Sequence, residues 1–284
     1  MFVLPFILSA ALAPFVLGQD DTPLQIQAIE AHFNNSGIVP TLLSTFAPTA
    51  VFTLAFQGSG NIQPGQAFTD NSKVAPTPNL TLTGGTYNAG DLFTLAMVDA
   101  GPVGSAEDSQ TRHWLVNGVT VTGDKAPFTV STDNATAITE YAGPAPPPGS
   151  GPHRYVVLLY SQPSDFQAPD GLNTANVGVS TFDFPSYVQS THLGALVAGT
   201  YFTVEAGTAS VSLSATQPVV TSTLPAASST SGSSSPSSPS TTPTQGGNGS
   251  SGNSGSNQGS SAPVTRAISW TAVMAGIAAI VIFN

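Results

Sequence analysis

The sequence predicts a mainly β domain with peripheral helices, on two observations. Short runs of β-branched and aromatic residues recur between clusters of Gly, Pro, Asn and Asp, as strands recur between turns. Some of these runs, among them Met97-Val98 and Leu158-Leu159, are apolar at consecutive positions, which fits strands covered on both faces.

Residues 2–17 are almost wholly apolar and stop at Gly18-Gln19-Asp20. That run is short for a membrane span and reads as a secretory signal peptide over residues 1–18. The domain is expected over residues 19–213, long enough to bury a core unaided. Thr22-Pro23-Leu24-Gln25 reads as N-cap, N1 proline and capping-box Gln. Leu24, Ala28, Ile29 and Phe33 follow at helical spacing, so residues 23–34 are a predicted helix. Strands are expected at 51–56, 92–98, 113–121, 137–141, 154–160 and 200–205, and a second short helix at 185–192.

Beyond the domain the composition changes. No Asp, Glu, Lys or Arg lies between Ala206 and Thr265, and Ser, Thr, Gly, Pro and Asn dominate. Such a segment has too little apolar surface to offset the entropy of ordering, so residues 214–261 are predicted to be a disordered, O-glycosylated stalk. A second apolar run, residues 268–283, follows small residues and a polar spacer. This is the grammar of a GPI-attachment signal over residues 262–284, with Asn253 the preferred attachment site.

Fifteen Asp and Glu against five Lys and Arg give a net charge of -10, which disfavours binding to nucleic acid. The chain has no cysteine, so disulfides, thiol chemistry and zinc-thiolate sites are excluded. Sequons at Asn34, Asn79, Asn134 and Asn248 agree with passage through the secretory route.

Two of the four histidines fall at strand boundaries beside unusual sequence. Thr111-Arg112-His113-Trp114-Leu115-Val116 begins one strand, and Gly151-Pro152-His153-Arg154-Tyr155-Val156 begins another. A third strand ends in Met97-Val98-Asp99-Ala100-Gly101-Pro102. In this order the set resembles the phosphatidylethanolamine-binding protein family, and its secreted fungal members most. The family's signature is an Asp-Pro-Asp-Ala-Pro turn, a His-Trp-Leu-Val strand, then Gly-x-Pro-Pro-x-Gly-x-Gly-x-His-Arg-Tyr. Ala145-Pro146-Pro147, Gly149, Gly151, His153, Arg154 and Tyr155 match the last element nearly residue for residue. The run from Val197 to Phe202 resembles the family's closing strand, and the likeness covers roughly residues 25–207.

The resemblance implies a large antiparallel sheet packed on a smaller sheet, with helices at the edge. It also implies a pocket for a small anion or phospholipid head group, lined by Asp99, His113, Pro146, Gly149, Gly151, His153 and Tyr155. Neither a cofactor nor catalysis is implied, and kinases or serine proteases are the expected protein partners. The residue chemistry agrees. Prolines stiffen the loop and glycines admit close approach; the two imidazoles and the Tyr155 phenol donate hydrogen bonds, and Asp99 orients an imidazole or receives an ammonium group.

One departure stands out: Met97 and Val98 occupy the positions of the turn's first Asp and Pro, which predicts a less polar wall. Arg154 is expected to be a buried ion-pair partner of Glu140 or Asp99. Trp114 and Tyr160 are expected in the core, and His32 and His192 in surface or packing roles. Two alternatives remain: a metal-dependent hydrolase using Asp99, His113 and His153 as a two-histidine, one-carboxylate site, and a structural wall protein with a vestigial pocket. No serine is flanked as a nucleophile elbow requires.

Overall fold

The structure, a computed structural model, describes residues 21–105, 110–208, 219–220 and 224. The expected signal peptide, most of the stalk, the GPI signal, Asn248 and Asn253 lie outside them. In chain order the elements are α1 (Thr22–Asn35), α2 (Ile38–Thr41), β1 (Val51–Phe56), β2 (Gly60–Asn61), β3 (Gln66–Phe68), β4 (Asn79–Thr83), β5 (Leu92–Asp99) and β6 (Thr111–Thr122). There follow β7 (Phe128–Ser131), β8 (Thr136–Thr139), β9 (His153–Gln162), β10 (Ser180–Thr181), α3 (Phe184–Ser190) and β11 (Leu196–Val204). A 3-10 turn at Asn71–Val74 precedes β4.

The strands form one continuous path, β2-β1-β4-β7-β6-β5-β9-β11-β3, with β8 and β10 also on β6. Pairing is antiparallel except for β3 on β11. The path curls because β6 belongs to both halves. Its first part pairs β5, and its last residues, Thr120 to Thr122, pair β7. Between them the register slips beside Gly118, whose φ of 83° suits glycine. The fold is therefore mainly β, with a large sheet curling over a smaller one.

Alternation then fixes the core. Phe52, Leu54 and Phe56 of β1 and Leu80 and Leu82 of β4 face Leu95, Met97, Trp114, Tyr155, Val157 and Phe202 of the larger sheet. The opposite face of that sheet, with Ala96, Val98, Val156, Leu158 and Tyr201, is covered by Ile29 and Phe33 of α1 and Phe184 and Tyr187 of α3. Burial on both faces explains the continuous apolar runs of β5 and β9. Trp114 and Tyr160 are core residues, as expected.

The helix α1 departs from its expected start. Asp21, not Thr22, is the N-cap, and no side chain caps the helix, so the capping box does not form. The closing strand begins at Leu196, ahead of the expected residue 200, because Val197, Ala198 and Gly199 already pair or pack. There a Cβ on Gly199 would stand 2.8 Å from Leu158 Cδ2 and 2.9 Å from Phe46 Cε2. Phe46 is itself stacked on Phe33 at 3.6 Å between centroids and has no room to retreat. We expect Gly199→Ala to destabilise by about 1–3 kcal/mol, read as a lower urea midpoint at unchanged m-value.

Candidate functional site

Strand register brings the first two groups together. Asp99 closes β5 directly opposite Tyr155 of β9, and His153 lies two residues earlier on the same face. The His153 Nδ1 stands 2.8 and 3.1 Å from the two Asp99 oxygens. Asp99 Oδ1 also accepts from Gly101 N at 2.7 Å, which fixes the carboxylate on the turn. Both side chains keep some exposure, 14% for His153 and 10% for Asp99. Asp99 therefore orients an imidazole, one of its two expected roles.

The proline-glycine loop reaches the same histidine. Pro147 to Ser150 form a turn with Ser150 N on Pro147 O at 3.2 Å and Gly149 at φ 79°. Gly149 N is tied to Ala206 O at 2.8 Å. The Ser150 Oγ then lies 2.9 Å from His153 Nε2 and 2.6 Å from Pro147 O. Both ring nitrogens of His153 are thus engaged within the protein. Ser150 was not singled out by sequence; its one signal was its place three residues before His153, inside the matching loop. Pro146 and Gly151 are buried in that loop, and Gly149 is half-buried.

His113 arrives by a bulge. Met97 pairs Trp114 and Val98 pairs Arg112, so His113 is the extra residue of β6 at that point. Its Nδ1 donates to Ala142 O at 3.0 Å, and its ring meets Tyr155 edge-on at 5.2 Å. Nε2 makes no hydrogen bond among the described residues.

Tyr155 corrects an expectation. It is fully buried, stacked on Phe202, and its hydroxyl is sealed from solvent without a hydrogen bond of good geometry. Burial first, and then the neighbouring Asp99 carboxylate, push its phenol well above the usual range. Tyr155 is therefore a neutral wall behind Asp99 and not an open donor. We expect Tyr155→Phe to fold with stability within about 1 kcal/mol of the parent, because little hydrogen bonding is lost; chemical denaturation checks it.

Arg154 corrects another. No carboxylate pairs with it among the described residues. Its guanidinium, wholly buried, donates to four carbonyls: Gly101 O at 3.0 Å, Ser36 O at 2.8 Å, Ala100 O at 2.8 Å and Pro102 O at 3.2 Å. Burial draws its pKa down, and Asp99 partly offsets this. The residue clamps the turn that carries Asp99 to the end of α1.

Met97 lies in the apolar core, wholly buried, two positions before Asp99. Asp99, His113 and His153 do not gather as a metal-ligating group among the described residues. Two cavities of about 500 and 600 Å³ lie elsewhere, against α1 and against α3. Residues 106–109, between β5 and β6, are outside the described residues.

A family model described as phosphatidylethanolamine-binding protein matches residues 45–202, more than half of the chain. The chain belongs to the phosphatidylethanolamine-binding protein family. It is 34% identical over 153 residues to the carboxypeptidase Y inhibitor of Saccharomyces cerevisiae, a match covering 47% of this chain and 66% of that protein. It is 26% identical over 178 residues to a 26 kDa secreted antigen of Toxocara canis, covering 61% of this chain and 63% of that one. These matches span just under two thirds of the relatives' lengths. The solved structure of carboxypeptidase Y inhibitor complexed with its cognate proteinase aligns with a TM-score of 0.52 at 26% identity, covering 66% of this chain and 98% of the inhibitor.

Proposed function

We propose that this is a binding protein that takes a small anion or the phosphate of a lipid head group on His113, beside Tyr155. The carrying observation is the division of labour between the histidines. His153 is held at both nitrogens, whereas His113 is fixed at Nδ1 alone and offers Nε2. With its proton on Nδ1, neutral His113 presents Nε2 as an acceptor, and it donates to an anion only as imidazolium. Binding then takes up a proton at that nitrogen. A charge-assisted bond contributes about 1.5–3 kcal/mol, so His113→Gln should weaken binding of O-phosphorylethanolamine roughly ten- to a hundredfold. Calorimetric titration of the parent and of His113→Gln, each in two buffers of different ionisation enthalpy, checks both, and a binding heat independent of the buffer contradicts the reading.

A second reading has its own support in the likeness to the inhibitor that is solved with its proteinase. On that reading the domain occupies a serine carboxypeptidase. Residual activity of carboxypeptidase Y against increasing amounts of this chain tests it. We propose further, on the signal peptide, stalk and GPI signal expected from the sequence, that the domain stands outside the cell on a tether. Release from membranes by phosphatidylinositol-specific phospholipase C is the expected result, and mature protein retaining residues 268–283 overturns it.

A further inference from the structure

We propose that Ser150 is an acyl-accepting nucleophile, activated by His153 and oriented through Asp99. Asp99 Oδ2 to His153 Nδ1 is 2.8 Å, and His153 Nε2 to Ser150 Oγ is 2.9 Å. Nucleophile, base and orienting carboxylate thus stand in one chain of hydrogen bonds, the arrangement that makes a serine hydroxyl reactive in acyl transfer.

Each link is held by the fold. The turn from Pro147 to Ser150 and the bond from Gly149 N to Ala206 O fix the backbone under Ser150, which is half-buried and so reachable. The carboxylate accepts at Nδ1, so neutral His153 keeps its proton there and turns a bare Nε2 to Ser150, the tautomer a general base needs. The hydroxyl has one proton and two acceptors, Pro147 O and His153 Nε2. Turned to Pro147 it is inert; turned to His153 it is a nucleophile.

The substrate class is a small activated carboxylic ester. Ser150 Oγ attacks the carbonyl carbon as its proton passes to His153 Nε2. The bond from carbon to the leaving oxygen breaks, and the alcohol departs with that proton, leaving acyl-Ser150 and neutral His153. Water then attacks the acyl carbon and gives its proton to Nε2; Ser150 Oγ leaves and recovers that proton, and the free acid is released. Neither a cofactor nor an oxidant enters. The step is independent of anion binding, because His113 takes no part in it.

Incubation of the mature chain with an alkyl fluorophosphonate, followed by intact mass and tryptic mapping, tests the proposal. One adduct per chain is expected, on Ser150 and on none of the many stalk serines. It should vanish in Ser150→Ala and form roughly a hundredfold more slowly in His153→Gln. Should His153→Gln not fold, the comparison is wild-type chain against heat-unfolded chain, and only the folded protein should label. No adduct at Ser150, equal labelling of the unfolded chain, or an undiminished rate in folded His153→Gln overturns the proposal.

Discussion

Replacing Arg154 by Ala should give the largest loss of stability of any single change at the site. The guanidinium donates to Ser36, Ala100, Gly101 and Pro102, so its removal strands Ser36 O and leaves the other three carbonyls with only Ser105 or the Arg154 amide as donors. An unsatisfied buried acceptor costs about 1–3 kcal/mol, and the loss of the charged bonds to the other three carbonyls brings the expected total to about 3–5 kcal/mol. For a domain of this size that corresponds to a fall in Tm of roughly 6–20 °C. Arg154→Lys should recover only part of it, since a single ammonium cannot span the fork of carbonyls. The loss should also reach the site, because the clamped turn carries Gly101, whose amide holds Asp99. A wild-type melting temperature in Arg154→Ala contradicts this assignment.

Phe202→Ala should come second. Phe202 stacks on Tyr155 at 5.6 Å between centroids and meets Phe56 and Phe68 edge-on. It is fully buried where the two halves of the curled sheet meet. Truncating such a ring costs about 3–5 kcal/mol, the spread reflecting how far the site collapses. Tyr155 would lose the surface that holds its ring against His113, so anion binding should weaken together with the urea midpoint. Phe202→Leu, which keeps most of the volume, should restore both.

These residues also show what a sequence can and cannot carry. The strand β9 was legible because burial on both faces leaves a continuous apolar run, and β1 because its residues are β-branched and aromatic. The alternation of Asn79-Leu80-Thr81-Leu82-Thr83 marks β4 only weakly between its polar neighbours, while β2, β3 and β10 are too short to show any period. The expected donor role of Tyr155 fails because Phe202, from a strand distant in sequence, closes over its ring. The pairing of Asp99 with His153 is hidden for the same kind of reason, because register between β5 and β9 is a tertiary fact that no local spacing encodes. A buried guanidinium such as that of Arg154 needs acceptors, and the sequence shows carboxylates but not carbonyls turned inward. Ser150 was hidden for a similar reason, as a hydroxyl in a turn acquires its partner only when the turn folds.

The central claim, that His113 meets the ligand while His153 is held by Asp99 and Ser150, is tested most directly by imidazole nitrogen NMR. The chain has four histidines, so each ring can be assigned by single substitution. On titration with O-phosphorylethanolamine near neutral pH, His113 Nε2 should pass from acceptor to protonated donor, with the His153 resonances changing little. A His113 signal unmoved at saturation, or a response confined to His32 or His192, would contradict the account.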